Sequence, residues 1–254
     1  MKYEKENFII HAIEVLKDNI IWIWQEGNEV VVIDPAISKP IKEWIKKNNL
    51  KLNAVLQTHH HSDHIGGTRD LLGTWPSASV IASKKDIHRI PFQTHSVSDQ
   101  DQLLIMGHPI NVIEVPGHTS NHIAYFLSNP PGCKNKDPVL FCGDTLFGGG
   151  CGRLFEGTPK QMFNSLGKLK LLPLETKIYC AHEYTEDNLR WANKLFPKDL
   201  SIETRLKDIS KKRSNNILSL PSSLEDEMKT NLFLRAKNIY EFTKLRRDKD
   251  HWNG

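Results

Sequence analysis

The histidine cluster at Thr58–His64 constrains the fold of this chain more than any other stretch of the sequence. It reads THHHSDH and directly follows an apolar, strand-like run. At neutral pH histidine is mostly uncharged, so imidazole and carboxylate groups together suit zinc, iron or manganese. His59 and His61 are two positions apart and can bind one ion from an extended turn, whereas Asp63 and His64 can reach a second. This predicts a loop presented from the rigid edge of a sheet, although composition alone also allows a solvated histidine-rich loop.

Three later segments repeat this arrangement, in which a strand-like run ends on a potential metal ligand. The predicted strands at 109–115, 138–142 and 176–180 lead into His118, Asp144 and His182 respectively. A lone histidine is more often structural than a ligand, but four such junctions with metal-preferred residue types indicate one common site. Seven candidates are too many for one tetrahedral ion and suit two ions that share a carboxylate: His59, His61, Asp63, His64, His118, Asp144 and His182.

The order of the predicted elements indicates a mixed α/β part followed by a helical tail. Two β-rich runs at 20–24 and 29–33 are joined by Gly27-Asn28, a hairpin signal that predicts an antiparallel start. Helices are predicted to begin near Pro40 and at Thr158-Pro159, where a threonine N-cap precedes proline. Residues 86–100 are polar and predicted to be irregular. Beyond Asp187 the pattern is helical, with helices expected at 188–195, 202–210, 224–234 and 236–252.

Composition narrows the class of protein. The 254 residues are 39% hydrophobic and 25% charged, as in soluble globular proteins. No apolar run approaches the ~20 residues of a membrane-spanning helix, and the charged N-terminus has no signal-peptide core behind it. The four cysteines form no Cys-x-x-Cys pair, which predicts a reducing, cytoplasmic environment. A net charge of +4 is modest for a nucleic-acid-binding protein, so we expect neither nucleic acid nor membrane as a partner.

The pattern T-H-x-H-x-D-H followed by isolated His, Asp and His resembles the metallo-β-lactamase superfamily. The flanking segments resemble one family within it, the hydroxyacylglutathione hydrolases (glyoxalase II), and the likeness extends from Asp18-Asn19 to Leu245–Asp250, nearly the whole chain. The segments that carry this closer resemblance are Gly143–Phe147, Gly150–Arg153, Phe155–Thr158 and Ala181–Thr185.

The resemblance implies an α+β fold, a four-layer αβ/βα sandwich followed by a C-terminal helical domain. We place the catalytic domain at 1–172 and the helical substrate-binding domain at 173–254, with a strand near 176–180 returning to the first domain. By position, the family pattern puts His59, His61 and His118 on one ion and Asp63, His64 and His182 on the other. Asp144 would bridge the two ions beside a hydroxide, so that Asp63 and Asp144 serve catalysis. Zinc is the expected metal, with iron or manganese as alternatives.

The implied reaction is hydrolysis of S-(2-hydroxyacyl)glutathione, such as S-lactoylglutathione, to glutathione and a 2-hydroxy acid, the second step of methylglyoxal detoxification. Glutathione is anionic, and the family's glutathione-binding positions carry over to Arg153, Phe155, Tyr184, Arg246 and Lys249. The last two are three apart on the final helix and share a face. The family commonly has lysine and tyrosine where this chain has Arg153 and Phe155, which changes hydrogen-bond geometry and removes one hydroxyl. We expect a monomer.

Two other classes of function compete with this hypothesis. The first is an iron oxidoreductase similar to the glutathione-persulfide dioxygenases, which share much of the metal motif but typically lack a long helical tail. The second is another hydrolase of the superfamily, such as a phosphodiesterase or tRNA-processing nuclease. The chain has no interleaved basic and aromatic patch that would favour a nuclease.

Overall fold

The computed structural model describes residues 8–128 and 137–253. The predictions for the charged N-terminus and for Cys133 fall outside these residues. The chain forms two compact units, which we call unit 1 (1–114 and 123–141) and unit 2 (115–122 and 142–254). The domain boundary expected after residue 172 stays a prediction.

Unit 1 is built on a six-stranded sheet whose strands follow one another in sequence order. The first three strands pair antiparallel with one another, and the third to the sixth pair parallel, so the third strand belongs to both sets. The predicted hairpin is confirmed, because Glu26 pairs with Glu29 across a turn in which Gly27 has a φ of +57°. The strands are β1 (Ile9–Val15), β2 (Asn19–Glu26), β3 (Glu29–Ile33), β4 (Lys51–Leu56), β5 (Ser79–Ser83) and β6 (His95–Val97).

The core of unit 1 lies where helices cover this sheet. Ile41 and Ile45 are fully buried, as is Leu71, and they pack with the apolar side chains of β2–β5. Such continuous apolar runs are typical of strands that are covered on both faces. The helices of unit 1 are α1 (Lys39–Lys47), α2 (Ser62–Ile65) and α3 (Thr68–Thr74).

Four antiparallel strands complete unit 1, in the order β10-β9-β8-β7. The buried hydroxyl of Tyr125 on β9 lies 3.0 Å from the carbonyl oxygens of both Gln57 and Ile81. Burial, reinforced by the charge of Asp34, raises the pKa of this phenol well above its ordinary value, so it remains a donor. These strands are β7 (Gln102–Ile105), β8 (His108–Glu114), β9 (Ile123–Leu127) and β10 (Val139–Gly143).

Unit 2 is mainly helical. Helix α4 begins as predicted, since Thr158 and Gln161 form a capping box with Pro159 in the first turn. Its helices are α4 (Pro159–Leu169), α5 (Thr185–Leu195), α6 (Leu200–Ser214), α7 (Leu224–Thr230), α8 (Leu232–Arg235) and α9 (Ile239–Asp250). Its short strands are β11 (Leu146–Phe147), β12 (Gly150–Cys151), β13 (Lys177–Cys180) and β14 (Ser222–Ser223).

Two predictions of local structure were wrong. Residues 86–100 are not wholly irregular, because His95–Val97 adds to the edge of the first sheet as β6. The single helix expected at 224–234 is interrupted at Asn231, which leaves the helical conformation and caps the start of α8 with its side-chain oxygen. The Asn231 amide also donates to the carbonyls of Phe147 and Gly150, so the interruption serves a tertiary contact that helical periodicity does not reveal. Among the described residues, no helix is long and apolar enough to span a membrane.

Candidate metal centre

One group of candidate ligands lies at the carboxyl end of β4 in unit 1, and Asp34 organises it. Asp34 follows β3, which is parallel to β4, so the two strand ends meet at the same edge of the sheet. The carboxylate accepts hydrogen bonds from the Thr58 backbone N–H at 2.8 Å and from the Thr58 hydroxyl at 2.6 Å. It also accepts one from His64 Nδ1 at 3.1 Å. A φ of +48° at Asp34 shows that the chain accepts an unfavourable backbone conformation to place this group.

These hydrogen bonds determine which ring nitrogens are available to a metal. His64 donates from Nδ1, which leaves the lone pair of Nε2 for a ligand. Because the Thr58 hydroxyl gives its hydrogen to Asp34, its oxygen accepts from His59 Nδ1 at 3.0 Å. His59 therefore also presents Nε2. Anchoring of the second ring nitrogen by a carboxylate or hydroxyl is the usual arrangement around metal-binding histidines.

The remaining candidates of unit 1 lie beside this pair. His59 Nε2 and His61 Nδ1 are 3.0 Å apart, close to the roughly 3.3 Å that separates two nitrogen ligands on one tetrahedral zinc. His64 Nε2 lies 3.6 Å from Asp63 Oδ2, and Asn19 donates to that same oxygen at 3.1 Å. Unit 1 thus brings together all four of its predicted ligands, and the rings of His59 and His64 lie with their centroids only 4.0 Å apart.

A second group of candidate ligands lies in unit 2 and centres on Asp144, just after β10. Its Oδ2 is 3.3 Å from His118 Nε2, and its Oδ1 is 3.4 Å from His182 Nε2. His118 Nδ1 donates to the Arg153 carbonyl at 2.9 Å, so its Nε2 lone pair faces the carboxylate. Each carboxylate oxygen therefore faces a different histidine, which is the orientation that a carboxylate shared by two ions requires.

The donor set fits divalent metal ions. Outer partners hold the buried imidazoles of His59, His64 and His118 in defined tautomers, and carboxylates lie within 3.6 Å of His64, His118 and His182. Nitrogen and oxygen donors without thiolate suit zinc, iron or manganese. Cys142 and Cys180 do not add to this set, since burial raises the pKa of both thiols far above the ordinary value.

Two of the predicted substrate-binding residues flank histidines of unit 2. The ring of Tyr184 stacks on His182 with centroids 4.8 Å apart and an interplanar angle of 4°. The ring of Phe155 meets His118 edge-on at 5.2 Å and is 66% exposed, as a side chain available to a ligand should be.

The three predicted cations of unit 2 form a basic cluster, which we define as Arg153, Arg246 and Lys249. Burial is the main cause that lowers the pKa of Lys249; the Asp187 carboxylate opposes it, while the charges of Arg246 and Arg153 add to it. Lys249 donates to Asp187 at 2.5 Å. Arg246 is almost fully buried and donates to the Cys151 carbonyl at 2.7 Å.

Asp34, Thr58 and Asn19 were not identified from the sequence. A signal was present for Asp34, because the β-branched run Glu29–Ile33 ends on it just as other strands end on the candidate ligands. The roles of Thr58 and Asn19 depend on hydrogen bonds to side chains that the linear sequence does not specify.

Gly67 provides a test of how tightly the histidine loop is held. A Cβ at Gly67 would lie 2.7–2.8 Å from backbone atoms of residues 35–38, which cannot swing away as a side chain would. We expect Gly67→Ala to reduce the free energy of unfolding by about 1–3 kcal/mol. Gly73→Ala is the control, because its Cβ would meet nothing within 4 Å; there we expect a gain of about 0.4–1 kcal/mol. Urea denaturation of both variants measures this, and equal effects would contradict the steric argument.

Comparison with known proteins agrees with the resemblance seen in the sequence. Residues 14–182 match the model of the metallo-beta-lactamase superfamily, and residues 183–252 match that of the hydroxyacylglutathione hydrolase C-terminus. Hydroxyacylglutathione hydrolases from two strains of Prochlorococcus marinus are 60% and 62% identical to this chain, each over 252 residues and covering 99% of both chains. The crystal structure of ETHE1 from Myxococcus xanthus superposes with a TM-score of 0.71 at 21% identity, covering 96% of this chain and 92% of that one.

Fold and site together define an α+β metallo-β-lactamase-type protein with a C-terminal helical region and a divalent-metal site, as the sequence predicted. Within that superfamily the chain belongs to the hydroxyacylglutathione hydrolase family.

Proposed function

We propose that this protein hydrolyses S-(2-hydroxyacyl)glutathione thioesters, such as S-lactoylglutathione, to glutathione and a 2-hydroxy acid, the second step of methylglyoxal detoxification. The observation that carries the proposal is Asp144, whose two oxygens face two different histidines within a family of thioester hydrolases. We further propose that His59, His61, Asp63, His64, His118, Asp144 and His182 hold two divalent ions, with zinc as the preferred metal.

The protein's own residues prepare the reaction. Asp34 and the Arg153 carbonyl fix the imidazole tautomers, and Asp63 and Asp144 supply negative charge that partly balances two dications. When bound, such ions would lower the pKa of a coordinated water to about 7 and would polarise the thioester carbonyl. The leaving thiol has a pKa of about 8.5, with cysteine as the model, so the thiolate departs without a dedicated general acid.

The basic cluster and the two flanking aromatic rings support recognition of an anionic glutathione moiety. We propose that Arg153 and Lys249 bind its carboxylates and that Phe155 and Tyr184 contact its backbone. Arg246 contributes positive charge, while its N–H groups hold the Cys151 carbonyl and Asp250.

The direct test is steady-state hydrolysis of S-lactoylglutathione by the metal-loaded protein, with oxygen consumption on glutathione persulfide measured in parallel. We expect thioester turnover and no oxygen uptake. Oxygen uptake without thioester cleavage would favour the iron oxidoreductase instead, and the match of residues 183–252 to the hydrolase C-terminus weighs against that outcome.

Lys249→Ala tests the basic cluster. We expect KM for S-lactoylglutathione to rise roughly tenfold while kcat changes little, because a charge-assisted hydrogen bond to a remote carboxylate stabilises substrate and transition state alike. Lys244→Ala, an exposed lysine on the same helix, is the matched control. An unchanged KM in Lys249→Ala would remove Lys249 from the binding site.

A monomer in the cytoplasm completes the proposal. Cys142, Cys151 and Cys180 are buried thiols, and burial raises the pKa of Cys151 to about 11, as suits unreactive cysteines in a reducing compartment. Light scattering of the purified protein tests the oligomeric state.

A further inference from the structure

His122 lies outside the proposed ligand set, yet it is fully buried and both of its ring nitrogens contact the turn that carries Asp144. The Asp144 backbone N–H donates to His122 Nε2 at 3.1 Å. His122 Nδ1 lies 3.2 Å from the hydroxyl of Thr145, the next residue in the chain. One imidazole therefore holds two consecutive residues of the turn, and all of these groups belong to unit 2.

The hydrogen-bond partners define the tautomer of this ring. A backbone N–H can only donate, so Nε2 must offer its lone pair, and the neutral ring then carries its hydrogen on Nδ1. That hydrogen goes to the Thr145 hydroxyl oxygen, and the hydroxyl in turn donates to the Val115 carbonyl at 3.4 Å. The resulting chain of donors runs in one direction, from Asp144 through His122 and Thr145 to Val115.

Backbone hydrogen bonds hold the turn on either side of Asp144, from the Thr145 N–H to the Cys142 carbonyl at 3.0 Å and from the Ala181 N–H to the Gly143 carbonyl at 3.2 Å. The His122 ring supplies the acceptor for the N–H of Asp144 itself. Gly143, which precedes Asp144, has a φ of +48°, a region that glycine enters freely. It has no side chain whose packing could fix the direction in which Asp144 leaves β10. A small rotation there would move both oxygens of Asp144 away from their positions near His118 and His182. A carboxylate shared by two ions has to satisfy both directions at once.

We propose that neutral His122 is a positioning residue for Asp144: it accepts the Asp144 N–H and so orients the carboxylate for two ions rather than one. The proposal rests on the proposed two-metal function. Replacement of an outer partner of this kind typically lowers metal affinity 10–100-fold.

Two amide variants separate the roles of the two ring nitrogens. In His122→Gln the amide oxygen reaches the place of Nε2 and still accepts from Asp144, whereas in His122→Asn the amide reaches only the place of Nδ1 and contacts Thr145. We expect the glutamine variant to bind two zinc ions with near-native affinity. We expect the asparagine variant to keep one ion and to bind the second at least tenfold more weakly.

Metal content by mass spectrometry, chelator competition for the weaker site, and the electron paramagnetic resonance spectrum of the manganese-loaded protein provide the readouts. Spin coupling between two manganese ions should be retained in His122→Gln and lost in His122→Asn. Equal losses in both variants would reduce His122 to a packing residue and overturn the proposal, as would two tight ions in His122→Asn. A wild-type protein that binds only one ion, or does not cleave the thioester, would instead contradict the proposed function itself.

If neither His122 variant folds, substitutions of Thr145 test the same proposal. Thr145→Val removes the acceptor of Nδ1 and so frees the ring to place its hydrogen on Nε2, which would oppose the Asp144 N–H. We expect a severalfold weaker second ion in Thr145→Val and near-native binding in Thr145→Ser. Identical binding in the two Thr145 variants would overturn the assigned tautomer.

Discussion

Replacing Asp144 by asparagine is expected to leave at most one metal ion per chain and to lower thioester hydrolysis by roughly a thousandfold or more. In the native protein both oxygens of Asp144 face histidines, at 3.3 and 3.4 Å. The change removes one negative charge and replaces one of these oxygens by an amide nitrogen, which cannot act as a metal ligand in the same way. Metal-assisted charge stabilisation is worth several kcal/mol, and each 1.36 kcal/mol corresponds to about tenfold in rate.

The matched control is Asp208→Asn, an exposed carboxylate on α6 that has no place in the proposed site. It changes the net charge of the chain by the same amount and should preserve two ions and native turnover. Metal content by mass spectrometry and initial rates on S-lactoylglutathione distinguish the variants. Two tightly bound ions together with native turnover in Asp144→Asn would remove Asp144 from the role of shared ligand.

The candidate metal ligands could be predicted from the sequence, because they follow segments that have the pattern of β-strands. Strand-like segments that each lead into histidine or aspartate predicted where the candidate ligands would lie. The structure places all seven in the segments that follow strands, with Asp63 and His64 inside the short helix α2. The family and its fold followed from the motifs that flank them. The ligand assignments themselves stay predictions.

Residues that act through long-range hydrogen bonds were not accessible. Arg246 was predicted as a glutathione-binding residue of the final helix, but its guanidinium also donates to a carbonyl 95 residues away. His122 has no place among the ligands of the family's pattern, so the sequence left it as one of the structural or surface histidines. In both cases the decisive partner is a backbone group, and sequence patterns carry no record of backbone partners.

The ion pair between Arg205 and Glu227 is expected to dominate the stability of unit 2. Glu227 is fully buried; one carboxylate oxygen pairs with Arg205 at 2.5 Å, and the other accepts from the Gly149 N–H at 2.8 Å. Glu227→Ala would remove the carboxylate paired with the Arg205 guanidinium, which would keep the Thr230 hydroxyl and the Asp226 carbonyl as acceptors. It would also remove the acceptor of the Gly149 N–H and one acceptor of the Asn231 amide. Removal of one partner from a buried pair typically costs 3–5 kcal/mol, so we expect a loss of about that size in the free energy of unfolding.

The same helix contains the control for this prediction. Glu225 and Lys229 on α7 form an exposed pair at 2.7 Å with more than half of each side chain in solvent. We expect Glu225→Ala to cost no more than about 0.5 kcal/mol, because solvent screens such pairs. Urea denaturation at fixed metal concentration compares the two variants.

Because the cost in Glu227→Ala arises mainly from Arg205 without its carboxylate, the double variant Glu227→Met/Arg205→Met should recover much of it. A double variant as unstable as the single one would show instead that the hydrogen bonds from Gly149 and Asn231 carry the effect.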